Sequence, residues 1–338
     1  MAPGSIHLAF ADAVHIRDPI LARYSPSALL RPELDPAISN YVNTTTIELF
    51  GDPSAPLGFR LGNGGAGYTG ILKILSGAYI AHKCNATATP PFHIEWVANH
   101  SRHTQIALLA DIVQVALTYE PDWEDQGIRE GWAKRTTRAF NDRFVLVGPT
   151  SDPAGVLDVS KSETCGDLMI CIALRIVAQY GQHTKAVVTH HRGDGSATSY
   201  KELQLWGFSG IDLSTSTSWR ERVALAPYPA LVHASKAGVY TLTDRATYLC
   251  AKRDGVVPDM RVFVEEGKHL LNPCSALVNS KAPRNELARE FAEWLGGEQA
   301  QQLIREFGMG WRTRLPVFAA KDREKFDAEK FGLVKARL

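Results

Sequence analysis

Short apolar segments alternate with helical ones from residue 58 to residue 148, and that alternation limits the chain to few folds. Residues 58–61, 92–97, 113–119 and 143–148 read as strands. Between them, 68–82, 101–110 and 123–131 read as helices, the first carrying Ile71, Leu72, Leu75 and Ile80 on one face. A βαβα order of this kind predicts an α/β protein with a mostly parallel sheet covered by helices. A second run follows, with a helix at 165–180, a strand at 186–189, a helix through Trp206 and another at 230–237. Strands at 239–243 and 261–264 and helices at 285–295 and 298–307 complete it. The chain has 338 residues, enough for two such units. Pro19, Pro26, Pro32, Pro36, Pro53 and Pro56 exclude a long helix at the start, so 1–57 reads as an arm packed on the first unit. Residues 321–337 read as a polar tail.

Charge narrows the partners. Lys plus Arg number 37 against 36 Asp plus Glu, a net charge of +1. A dedicated nucleic-acid binder would need a basic face, which this balance does not supply. A local cationic pocket for a small anion stays open. No run of about 18 apolar residues is present, so no membrane span is expected. The five cysteines are scattered and form no C-x-x-C, which points to reduced, buried thiols with no metal site and no cofactor. His100 and His103, three residues apart, read as a surface pair. The N-terminus lacks a basic stretch followed by a long apolar one, so the chain is expected in the cytoplasm.

Two loops carry the chemistry. The first, LGNGGAGYTG at 61–70, follows a strand and opens a helix, and Gly62, Gly64 and Gly67 satisfy G-x-G-x-x-G. Glycine backbones approach anions closely, and a helix N-terminus attracts negative charge. A dinucleotide site is one reading, but the acid expected about 20 residues further on is missing. The others are an anion loop of another kind and a tight turn packed by glycine. The second loop, HHRGDGSATSYKELQLW at 190–206, crowds Ser196, Thr198 and Ser199 at a helix start just after Arg192. Ser199 and Glu202 fit a capping box. Hydroxyls, free helix N–H groups and an arginine together suit a tetrahedral oxyanion. Asp194 would repel an anion, so it is assigned to capping or to orienting Arg192.

With those loops in place, the chain resembles the tungstate-binding, TupA-like branch of the ABC-transporter solute-binding proteins, of periplasmic-binding-protein type II. The resemblance rests on LGNGGAGYTGIL, on DRFVLVGP from Asp142 with the turn DPAG from Asp152, and on RGDGSAT from Arg192. YTLTDR from Tyr240, LNP from Leu271 and the segments 291–295 and 301–307, read as closing helices, extend it over about 58–310. Where that branch carries Thr-Thr-Thr-Ser, this chain has 62–69; Thr44-Thr45-Thr46 falls before the strand and is set aside.

The resemblance implies two α/β lobes joined by a two-strand hinge. Lobe one would be 58–145 plus 262–338 and lobe two 146–261. It implies a binding protein, not an enzyme, that clasps a small oxyanion such as tungstate or molybdate between the lobes. The candidate ligands are Asn63, Gly64, Gly65, Thr69, Arg192, Ser196, Thr198 and Arg245, with Arg102 and Thr104 reaching in from a lobe-one helix. The implied partner is a small anionic ligand, and an ABC permease if the chain is exported. The rival readings are a Rossmann-type NAD-dependent oxidoreductase and an intracellular ligand sensor on the same scaffold.

Overall fold

A computed structural model describes residues 42–86, 89–158, 166–193, 196–213, 218–280 and 285–322. The described chain begins with β1 (Thr46–Gly51), β2 (Leu57–Asn63), α1 (Gly65–Thr69), α2 (Ile71–Ala86), β3 (His93–Ala98), α3 (Ser101–Leu109), β4 (Val115–Thr118) and α4 (Pro121–Arg129). It continues with β5 (Ala133–Pro149), α5 (Gly166–Thr184), β6 (Thr189–His191), α6 (Ala197–Phe208), β7 (Arg220–Arg222), α7 (Pro227–Ala237), β8 (Tyr240–Asp244) and α8 (Arg245–Arg253). It closes with β9 (Met260–Val264), β10 (Leu271–Asn279), α9 (Glu286–Trp294), α10 (Glu298–Glu306) and β11 (Ala319–Ala320).

The chain divides into two compact units, one holding 42–141, 273–310 and 316–322, the other 142–272 and 311–315. The chain returns to the first unit at 272/273, and β9, which pairs with 146–149 of β5, lies within the second.

In unit 1, β2 runs parallel to both β3 and β4, while β1 and β10 add antiparallel strands. β1 lies within the region read as an arm. The segment 271–273, read with the closing helices, is strand. Val97, Ile106, Leu108, Val113, Trp132 and Leu277 form one buried cluster. α9 turns Ala288, Phe291 and Ala292 inward at i, i+3 and i+4, the spacing that lays one helix face on a sheet.

In unit 2, β6 lies between β8 and β7 and is parallel to both. β5 and β9 pair antiparallel beyond β8. The core joins Phe144, Leu146, Ile170, Leu174, Trp206 and Trp219. Ile170, Leu174, Val177 and Ala178 of α5 repeat at the spacing of a single helical stripe. Cys171, Cys250 and Cys274 are buried free thiols, but Cys84 is half-exposed; Cys165 lies outside the described residues.

Candidate anion-binding residues at the strand ends

Parallel pairing puts the carboxyl ends of β2, β3 and β4 along one edge of unit 1, and a helix leaves from each. Ligands of open α/β sheets bind outside such ends. At the end of β2, Asn63 is fully buried. Its Nδ2 donates to the Leu117 carbonyl at 2.9 Å, and its Oδ1 accepts the Gly67 N–H at 2.9 Å. Its own carbonyl accepts from Trp96 Nε1 at 2.9 Å. Asn63 is therefore a tie between strands and helix, with both side-chain polar atoms engaged inside the protein.

The glycines divide by what surrounds them. A Cβ at Gly67 would lie 2.0 Å from the Trp96 ring, and one at Gly64 2.8 Å from the Asn99 carbonyl. These two permit packing. A Cβ at Gly65 would meet nothing within 4 Å, and Gly65 opens α1, where helix N–H groups have no intrahelical acceptor. Thr69 is engaged locally. Its hydroxyl donates to the Ala66 carbonyl at 2.6 Å and accepts from the Ile71 N–H at 3.2 Å. It thereby closes the break at Gly70, whose φ of +95° splits the single expected helix into α1 and α2.

The positive charge of unit 1 comes from the next strand end. Arg102, in the first turn of α3, is 1% exposed. Its Nε lies 2.6 Å from Glu120 Oε2, just past β4, and its guanidinium stands 4.8 Å from the centre of the Trp123 ring. Ser101 Oγ accepts the Tyr119 N–H at 3.1 Å, joining the same two strand ends. Thr104 donates to the Asn99 carbonyl at 3.0 Å, a helix-start bond.

The histidine pair read as a surface feature is buried. His100 and His103 stack with ring centres 4.0 Å apart, because α3 starts inside the strand-end cluster. Burial first, then His100 and Arg102, hold His103 well below the usual histidine range. His103 Nε2 and both amide atoms of Gln105 are buried with no hydrogen-bond partner among the described residues. Arg and His in a first turn oppose the helix dipole, which favours anions there. In the structure the negative charge beside this first turn is that of Glu120.

Unit 2 repeats the arrangement with other residues. Arg192 follows β6, is buried, and donates from Nε to the Leu225 carbonyl at 3.1 Å, linking the ends of β6 and β7. Ser196 is the N-cap of α6 and accepts the Ser199 N–H at 3.4 Å. The capping box read from Ser199 and Glu202 does not form. Glu202 instead accepts from Trp206 Nε1 at 3.0 Å and from Arg220 at 3.2 Å. Thr198 is buried in the first turn of α6. Asp194 lies outside the described residues.

Arg245 opens α8 at the end of β8 and is buried, with its Nε 3.2 Å from Glu265 Oε1. Burial lowers its affinity for a proton, opposed by Glu265 and Asp142. Asp142 is pushed well above the usual carboxylate range by burial, then by Asp244. Arg245 thus belongs to a buried charge cluster around β5. The structure brings Arg192, Ser196 and Thr198 to one strand end and Arg245 to that of the adjacent strand.

Parallel strands that end at helix N-termini define an open α/β scaffold, and comparison with known proteins gives the family. The chain belongs to the PBP superfamily domain family, whose pattern matches residues 65–298. Its fold is that of the periplasmic-binding-protein type II solute-binding proteins. It is 32% identical over 201 residues to a Haloferax volcanii protein provisionally named an ABC transporter anion-binding protein, covering 57% of this chain and 54% of that one. It is 32% identical over 199 residues to the tungstate-binding protein TupA of Peptoclostridium acidaminophilum, covering 57% of this chain and 64% of that one. The chain thus spans between about half and two thirds of the length of these curated relatives. The crystal structure of a periplasmic protein described provisionally as metal-binding is 31% identical, with a TM-score of 0.69, covering 81% of this chain and 98% of that one.

These relatives correct the cytoplasmic placement. The Haloferax relative is provisionally named an ABC transporter anion-binding protein, and the matched crystal structure is of a periplasmic protein. The intracellular-sensor reading falls with it. The dinucleotide reading loses its motif as well, since Gly67 packs on Trp96, and Glu95, the first acid after the loop, accepts from Arg60 Nε at 2.7 Å and from Thr46 at 3.0 Å. Thr46, set aside as lying before the strands, begins β1.

Proposed function

We propose that this chain is a solute-binding protein for a small oxyanion of the tungstate class, that it binds this ligand without transforming it, and that it serves an ABC permease. One observation carries the reading: each unit holds a buried arginine beside a helix start at the carboxyl ends of parallel strands, Arg102 in one and Arg192 in the other. An oxyanion is costly to dehydrate, so its site must replace water with aimed donors. Helix N–H groups and guanidinium forks are such donors.

In this reading Gly65 and Ala66 give N–H groups, and Ser196 and Thr198 give hydroxyls. Arg102 and Arg192 give charge. Asn63, Gly64 and Thr69 hold the first loop in shape, and Arg245 sets the local potential. The Haloferax relative supports an anion in general, and the TupA relative supports tungstate.

Thermal unfolding of the full chain with tungstate, molybdate, sulfate, phosphate or NAD tests the reading. An oxyanion at a hundred times its dissociation constant adds about 2.7 kcal/mol of stability. A shift with NAD and with no oxyanion would overturn the proposal.

A further inference from the structure

We infer that His190 and His233 form a binding site for a divalent transition-metal ion of the zinc type in unit 2, oriented by Glu221. His190 lies in the middle of β6 and is 3% exposed, while His233 stands on the exposed side of α7. Their Nδ1 atoms face each other at 3.3 Å, with ring centres 4.9 Å apart. Glu221 is opposite His190 in the parallel ladder of β6 and β7, and its Oε2 is 3.2 Å from His190 Nε2.

These contacts fix the tautomer. Glu221 takes the Nε2–H of His190, so the Nδ1 lone pair of His190 is aimed at His233. With no metal, the Nδ1–H of His233 fills that lone pair. A metal ion can take the place of this proton, which passes through solvent to Nε2 of His233, and a tilt of the two rings turns both Nδ1 lone pairs onto an ion set to one side of the line between them. Two metal–nitrogen bonds of about 2.0–2.1 Å at a tetrahedral angle put the nitrogens about 3.3–3.4 Å apart. The backbone of β6 and α7 need not move. A carboxylate on the far nitrogen of a ligating histidine is the usual outer partner of such a site.

Among the described residues no three His, Cys, Asp or Glu side chains form a metal cage. The site is therefore of the two-imidazole type, with water completing the shell on the exposed side of His233. Imidazole nitrogen suits zinc, copper or nickel, whereas magnesium prefers oxygen. The bound ion would tie α7 to β6, the strand that delivers Arg192. No part of this inference depends on the oxyanion reading.

The test is calorimetric titration of the metal-free full chain with Zn2+, then with Mg2+, in buffer free of oxyanions. One equivalent of Zn2+ binds, and Mg2+ gives no heat. His233→Ala, a change at an exposed residue, removes the Zn2+ signal while circular dichroism stays unchanged. Glu221→Gln weakens binding about tenfold or more. Cys84→Ser, at the half-exposed thiol, leaves it intact. Equal Zn2+ affinity in wild type and His233→Ala, or no Zn2+ binding by wild type, would overturn the site.

Discussion

The strand ends of unit 1 and of unit 2 solve the same problem with different residues. In unit 1 the glycine-rich loop is mainly packing: Gly67 admits Trp96, Gly64 admits the Asn99 carbonyl, and Asn63 ties β2 to β4. The charge sits one strand further on, at Arg102, and is matched by Glu120. In unit 2 the charge and the helix cap share one loop, from Arg192 to Ser199. A glycine motif therefore marks backbone closeness but not what comes close. A buried arginine at a helix start says what comes close: a carboxylate for Arg102 and a backbone carbonyl for Arg192.

The largest expected effect separates the two arginine pairs. Glu120→Ala leaves Arg102, 1% exposed, without its carboxylate, and breaking such a pair costs about 4 kcal/mol. Glu265→Ala acts on a pair whose acid side chain is 28% exposed, where water replaces part of the loss. Urea unfolding should show Glu120→Ala as the more damaging. Equal costs would mean that the two units bury their charge alike.

The next effect divides the glycines. Gly67→Ala drives a methyl into Trp96, and overpacking a core of this density costs about 3 kcal/mol. Gly65→Ala adds a methyl in open space, so the midpoint of urea unfolding should stay where it is while oxyanion affinity falls. Loss of stability at Gly65 instead would show that unit 1 has no open loop position.

Fold and site were legible in the sequence to different depths. The sequence groups Arg192, Ser196 and Thr198 because they are neighbours in it, and all three are buried after β6. Arg102 was named only as a side chain reaching in, because its partner Glu120 lies beyond a whole strand. β5 was read over 143–148 alone, since its first residues, AKRTT from Ala133, are polar and largely unburied. β10 does not show in the sequence, where 271–273 read with the closing helices; its strand partner β4, paired with 275–278, lies far away in the chain. The helix at 68–82 was found, but its break at Gly70 rests on a positive φ that composition does not reveal.

A smaller effect comes from pH. His103 is held well below the ordinary histidine value of 6.5, chiefly by burial. Below that value the unfolded chain takes up a proton that the folded chain refuses, so stability falls as pH falls. The slope for one proton is at most about 1.4 kcal/mol per pH unit. His103→Asn should flatten the stability curve on the acid side of 6.5. An unchanged curve would place the acid sensitivity elsewhere, unit 2 included.

The most direct measurement is calorimetric titration of tungstate into wild type, Arg102→Ala and Arg192→Ala. One tungstate should bind wild type, and each variant should lose about a hundredfold in affinity, the scale of a charge-assisted hydrogen bond with its buried partner removed. Both variants binding as tightly as wild type, or a wild type that binds no oxyanion, would contradict the assignment of the buried arginines to anion binding.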